Sequence, residues 1–376
     1  MKKYLKLENW IYLTIFLLPS YLIKFSIFGI PTNLLEVLIG ICLIWWLMEK
    51  GYKNIKADRG LVISIIILLA GLFVSTMING SYRAGWGIIK GWFILPLLFF
   101  IIFSSVVKNK ENLFKALYFS AFNLSFVGII YFFLGELTYD GRLKIFLNSP
   151  NYLAMYLAPA IFWGAYSLKE NKKIYFVTLA IILISLYLTF SYTAWAAIAA
   201  SFLIMEIFRS GKNFFRSKSF IFLIFIIFII SIFQINNQKI NNLINLYERS
   251  SIASRMMIWK SSGKILKDNW ILGIGPGNFQ EKYLEYQKYF PPYLEWAVPH
   301  PHNLYLAFWL SGGVLSLVGF FMLISNWFKK ILKMKNSQLK LAVLGTMLYI
   351  LIHGFFDTTY FKNDLAVIFW MLFSIL

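Results

Sequence analysis

The feature that most constrains this chain is a recurrence of apolar runs, each about as long as a bilayer is thick, separated by short segments that collect the Lys and Arg. A spanning helix needs about 20 apolar residues, with a range of about 17 to 25. That yardstick divides the sequence at residues 10–30, 33–48, 61–78, 86–107, 113–134, 152–168, 174–190, 192–208, 219–235, 303–328, 338–356 and 360–376. The run 174–208 is too long for one span, so a break is set at Thr189, Phe190 and Ser191. The expectation is an all-α, polytopic transmembrane helical bundle of about 12 helices. Composition points the same way. A chain that is 59% hydrophobic and only 14% charged cannot bury that surface in one soluble core.

The formal charge of +20 invites a nucleic-acid reading, because basic domains release counterions from phosphates. The positions of the charges decide against it. Cations lie between apolar runs and alternate in density. With the N-terminus inside, segments 1–9, 49–60, 108–112, 169–173, 209–218 and 329–340 each hold two to five Lys or Arg, and the short outer loops hold none to two. The positive-inside rule then makes both termini cytoplasmic. The opening MKKYLKLENW and the apolar stretch after it have the order of a signal peptide without a small-x-small cleavage site, and are expected to form an uncleaved first helix. The one cysteine, Cys42, leaves no internal disulfide and no Cys-based zinc site. The expected division is therefore helices 1 to 9 over 1–235, a large extracytoplasmic loop over 236–302, and helices 10 to 12 over 303–376.

That loop is where the chemistry-bearing residues gather. Its three Trp and many Tyr, Ile and Leu are able to bury surface. The pattern predicts a helix over about 254–267, a turn at GIGPGN, a second helix over about 280–290 and a proline-punctuated return, PPYLEWAVPHPHN. Arg255 and Trp259 stand at i and i+4, on one helix face. A guanidinium beside an aromatic at the membrane surface suits a pyrophosphate, and equally suits an interfacial anchor. Gly273, Gly275 and Gly277 lack the strand and the spacing of a dinucleotide fingerprint. Their turn exposes backbone N–H groups able to hold an anion. His300 and His302 flank Pro301 in a loop; histidine suits general base work near neutral pH, but this spacing is not that of a helical zinc site. His353, mid-span, must face the protein interior. Asp357, Lys362 and Asp364 cluster at the outer surface, where pairing among themselves would be worth little.

SRMMIW at 254–259, GIGPGNF at 273–279 and HPHNLYLAFWLSGG at 300–313 together resemble, in order and spacing, the large extracytoplasmic loop of the O-antigen ligase and polymerase family. His302, Asn303 and Gly313 meet the family pattern of His, a small polar residue, nine residues and Gly. GRLKIFLNSPNYLAMYLAP at 141–159 resembles an upstream motif, with Arg142, Pro150 and Asn151 in the matching places. Two departures stand out. Members often carry Ser-Arg after the break near 190, where this chain has Ser191 and Tyr192. They also often carry an acidic residue two before the Gly, where this chain has Ser311.

The resemblance implies transfer of a glycan from an undecaprenyl-pyrophosphate carrier to a hydroxyl of a glycolipid, glycan or protein acceptor, at the outer side of a bacterial cytoplasmic membrane, with no cofactor, metal or nucleic acid. Carried over residue by residue, His302 and Arg255 are the catalytic pair. Arg142, Asn151, Tyr192, Trp259, Lys260, Gly275, Gly277 and Asn303 contact substrate, with Tyr192 donating in place of the missing Arg or with Lys260 or Arg142 substituting for it. His300, outside the His302 register, is expected to be a solvated loop residue. Joining of lipid-linked repeat units by a polymerase is the nearest alternative, and a flippase or transporter of lipid-linked glycan is the one from another class.

Overall fold

Alternating caps and apolar runs set the helix boundaries. In the computed structural model, residues 6–55, 58–80, 82–168, 172–210, 251–291, 295–335 and 337–376 are described. The expected span 219–235 lies outside them. The chain begins with α1 (Leu7–Phe16), a 3-10 turn (Leu18–Leu22) and a hairpin of β1 (Lys24–Ile27) and β2 (Ile30–Asn33), antiparallel with Lys24 opposite Asn33. The expected first span, 10–30, is thus half helix and half hairpin. Pro19 sits in the first turn of the 3-10 helix, and Phe28 and Gly29 adopt the left-handed conformations of a tight hairpin turn, which no helix accommodates.

Asn33 then caps α2 (Leu34–Met48) by accepting from the Glu36 N–H at 3.0 Å, and Asp58 caps α3 (Arg59–Ile78) by accepting from Leu61 N–H at 2.9 Å. Next come α4 (Tyr82–Ile88), a π-helical turn (Ile89–Ile94) and α5 (Leu95–Val106), which form one continuous 25-residue span, then α6 (Glu111–Phe133). Ser149 caps α7 (Pro150–Ser167), with Pro150 in the first turn. The break between α8 (Lys172–Leu188) and α9 (Tyr192–Ser210) falls where the sequence places it, with Phe190 at a φ of 46°. The loop helices are α10 (Ser251–Asn269) and α11 (Phe279–Tyr286). Asn303 caps α12 (Leu304–Ile331), Ser337 caps α13 (Gln338–His353), and α14 (Asn363–Met371) closes the order.

Among the described residues, four spans, α3, Tyr82–Val106, α6 and α12, are long and apolar enough to cross a membrane, and α2, α8, α9 and α13 are shorter apolar helices. The result is a multi-pass membrane protein. Side chains such as Ile44, Ile66, Phe126, Phe176 and Phe321 are exposed on helix faces, as lipid contact requires. Helices α3 and α12 pack closely through small residues: a Cβ at Gly71 would come 2.5 Å from the Gly312 carbonyl oxygen. At Gly312 and Gly313 α12 kinks, and Gly313, at a φ of 65°, lets the Ile271 carbonyl accept from Val314 N–H at 3.0 Å. The kink therefore seats the segment after α10 on the bundle.

The two ends of the bundle gather different residues. Asp58 pairs with Lys330 at 2.9 Å, joining two segments of the cation-rich side. At the other end, loops around residues 142, 189, 302 and 357 meet.

Candidate active site

Asp357 is the centre of that meeting. It follows α13, whose last turns end in His353 and Gly354, and is fully buried. Its Oδ1 accepts from the Thr358 N–H at 2.8 Å and lies 3.4 Å from Nδ1 of His302; its Oδ2 accepts from Asn151 Nδ2 at 3.2 Å. Asn151 in turn accepts from Arg142 Nη2 at 2.8 Å, and Arg142 Nε donates to the Thr189 carbonyl at 2.8 Å. A chain of contacts thus runs from the 135–151 loop through the α8–α9 break to the α13–α14 loop and the histidine. Burial alone would raise the Asp357 carboxyl. The neighbouring His302, His300 and Arg255 overcome it and hold the carboxyl well below the usual carboxylate range.

Arg255, in the second turn of α10, donates Nε to the Phe356 carbonyl at 3.0 Å and Nη1 to Ser251 Oγ at 2.8 Å. Trp259, one turn on, lays its ring 6.3 Å from that of Phe356 and donates to the His302 carbonyl at 3.4 Å. Both therefore face the segment that leads into Asp357. Arg142 is mostly buried, 3.9 Å from Asp140. Burial lowers its pKa, Asp140 opposes this and the neighbouring Arg255 adds to it, yet a guanidinium stays charged at any working pH. Two guanidiniums that repel each other, each tethered by hydrogen bonds to carbonyl or side-chain oxygens, form a place where an anion is favoured.

His302 sits at a φ of 47°, an uncommon conformation for a side-chain-bearing residue, in the loop immediately before the Asn303 cap. Asn303 Oδ1 accepts from Tyr305 and Leu306 N–H, both at 3.0 Å, and its Nδ2 donates to the Phe355 carbonyl at 3.0 Å. Its polar atoms hold the loop rather than face outward. His300 departs from the solvated reading. Its ring centroid is 4.2 Å from that of His302, and its Nε2 lies 2.9 Å from the Tyr152 hydroxyl. Burial first, then His302, drives its pKa down to about 3, so His300 is neutral at physiological pH. The Lys362 ammonium lies over the Tyr152 ring, 3.3 Å from its centroid, and donates to the Tyr21 hydroxyl at 3.2 Å. Asp357, Lys362 and Asp364 are buried rather than surface groups, because the α13–α14 loop folds down among α7 and the 3-10 turn.

The remaining sequence-predicted residues divide. Tyr192 opens α9 close enough to Arg142 to interact with it. Lys260 is exposed and makes no hydrogen bond or ion pair among the described residues. Gly275 and Gly277, at φ of 85° and 89°, have Asn79, Ala84 and Ile88 as neighbours, so their turn packs on α3 and α4 and its glycines meet none of the cluster residues. His353 is fully buried, bonded to Tyr349 at 2.7 Å and Thr193 at 3.2 Å, in the interior role expected of it. Sequence reasoning did not assign Asp357, His300, Tyr152 or Thr189 to the site. Asp357 and Tyr152 carried a signal, since each adjoins a segment already placed at the outer face.

Residues 177–321 match the model of the O-antigen ligase family. The matched segment, somewhat over a third of the chain, is similar to that family and spans Arg255, His302, Asn303 and Gly313. Arg142, Asn151 and Asp357 lie outside the matched segment and reach the site only through the fold. No curated protein matches the chain.

Proposed function

We propose that the protein transfers a glycan from an undecaprenyl-pyrophosphate carrier to an acceptor hydroxyl on the outer side of a bacterial cytoplasmic membrane, with both termini in the cytoplasm. The observation that carries the reading is the convergence of Arg142 and Arg255 on the same buried cluster as the His302–Asp357 contact. In such a transfer the acceptor oxygen forms a bond to the anomeric carbon, the bond from that carbon to the phosphate oxygen breaks, and undecaprenyl pyrophosphate leaves. Pyrophosphate is a good leaving group, so the protein has two tasks: neutralising developing charge and positioning the acceptor.

Arg255 and Arg142 serve the first, binding phosphate oxygens in forks. His302 serves the second. Asp357 beside Nδ1 favours the tautomer with its proton on Nδ1, which leaves the Nε2 lone pair for the acceptor proton. Trp259 holds the His302 carbonyl, the adjoining Asn303 binds the Phe355 carbonyl, and Asn151 ties Asp357 to Arg142, so donor-binding and base groups are set in one frame. No step of this scheme uses a metal ion. A lipid-linked repeat unit as acceptor would make the same chemistry a polymerisation. The test is incubation of the purified protein with a lipid-linked glycan donor and candidate acceptors, with and without chelator. Release of undecaprenyl pyrophosphate with glycan appearing on an acceptor is expected, and absence of both with every donor and acceptor class would overturn the reading.

A further inference from the structure

One ring nitrogen from each of His300 and His302 and one carboxylate oxygen of Asp357 lie within 4.8 Å of one another. The 3.4 Å between His302 Nδ1 and Asp357 Oδ1 is close to the edge of a coordination tetrahedron with bonds of about 2.05 Å, roughly 3.3 Å. His300 Nδ1 is buried and has no hydrogen-bond partner among the described residues, and buried His302 Nδ1 has only the long 3.4 Å contact to Asp357. A buried nitrogen without a partner is costly, and an ion at the centre of the three would satisfy His300 Nδ1 and replace the long His302–Asp357 contact with two short bonds. The outer contacts are also those of a metal site. Tyr152 fixes the His300 ring through Nε2, and Asn151 and Thr358 fix the carboxylate.

We propose that His300, His302 and Asp357 form a binding site for a divalent transition-metal ion of the zinc type, and that the bound ion blocks transfer by taking the histidine the reaction uses. The blocking half rests on the function proposed above; the binding half does not. Two imidazoles and one carboxylate suit zinc, cobalt and nickel, whereas magnesium and calcium prefer all-oxygen sites. The ion meets a single carboxylate with Arg255 and Lys362 nearby, so it is held reversibly. The chain simplifies the measurement. It has three histidines and one cysteine in all. His353 has both nitrogens engaged inside the bundle, and Cys42 is buried, so imidazole ligation has one place to occur.

The experiment uses the full-length, untagged protein in detergent, with Zn²⁺ followed by calorimetry and Co²⁺ by its visible absorption. One ion per chain is expected, with an intense tetrahedral cobalt band and no heat from Mg²⁺. Binding is lost in His300→Ala and Asp357→Asn and weakened on the order of 10-fold in Tyr152→Phe, which removes only the outer hydrogen bond. Absence of zinc heat and of the tetrahedral band in the parent overturns the site without reference to any variant. So does a binding curve unchanged in folded His300→Ala. In the transfer assay, Zn²⁺ lowers the rate and chelator restores it. Binding with undiminished transfer would overturn the blocking half and His302 as the base while leaving the ion site. No binding, with transfer that needs His302, would overturn the site and leave the function.

Discussion

Asp357→Asn keeps the shape of the residue that the other site groups surround and removes its charge, which makes it the most informative single substitution. The carboxylate now accepts from Asn151 Nδ2 and Thr358 N–H and sits 3.4 Å from His302 Nδ1. An amide must present its NH₂ to one of these neighbours. Facing Asn151, it meets a donor that cannot turn away, because Asn151 Oδ1 is held at 2.8 Å by Arg142. Facing Thr358 and His302, it meets an N–H and loses the charged partner that sets the histidine tautomer. Either way one buried donor is orphaned and one charge-assisted hydrogen bond is lost, for a destabilisation of about 3 kcal/mol.

Transfer should fall by about 10² to 10⁴, the range for loss of a positioned base, while donor binding through Arg255 persists. The stability effect carries its own pH signature. The folded carboxyl titrates below its unfolded value of about 3.9, so its contribution is complete above about pH 5 and is lost as pH falls through the folded value. The variant should lack that component. Thermal unfolding in detergent from pH 7 down to pH 3, with single-turnover transfer at pH 7, measures both. Parental stability and parental transfer in Asp357→Asn would refute the placement of Asp357 at the centre of the site.

His302→Ala should abolish detectable transfer while leaving expression and donor binding intact; a rate within a few-fold of the parent would remove it as the base. Arg255→Lys should lose most activity despite keeping the charge, because an ammonium lacks the planar fork, and equal turnover would demote Arg255 to an anchor. For His300, whose folded pKa of about 3 lies below an unfolded value of about 6.5, stability should rise with pH between those values, since the unfolded state there binds more protons. A His300→Gln variant whose acid sensitivity matches the parent's would place His300 in solvent after all. Cysteines introduced at Lys53 and Lys333 should resist an impermeant thiol reagent in intact cells and one at Lys288 should react; labelling at Lys333 from outside would invert the assigned topology.

What the sequence determined by itself was the solvent, since a chain this apolar needs a bilayer. Apolar length decides which segments are able to enter the bilayer, and cation density sets the expectation of which ends face the cytoplasm. Both are properties of contiguous residues. The break at Thr189–Ser191 and the α10 face carrying Arg255 and Trp259 were legible for the same reason. The first span was not, because apolar content alone cannot distinguish a helix of 21 residues from a helix followed by a hairpin. Tertiary structure alone decided the rest. Asp357 lies 55 positions after His302 and 206 after Asn151. No local period links them, and an aspartate in a short polar loop reads as a surface charge until the loop folds inward. His300 looked solvated for the parallel reason: burial and the Tyr152 hydroxyl come from α7, nearly 150 residues upstream. The glycine turn went the other way. Its positive-φ backbone suited an anion as well as it suited close packing, and the neighbouring helices α3, α4 and the α12 kink are what claimed it.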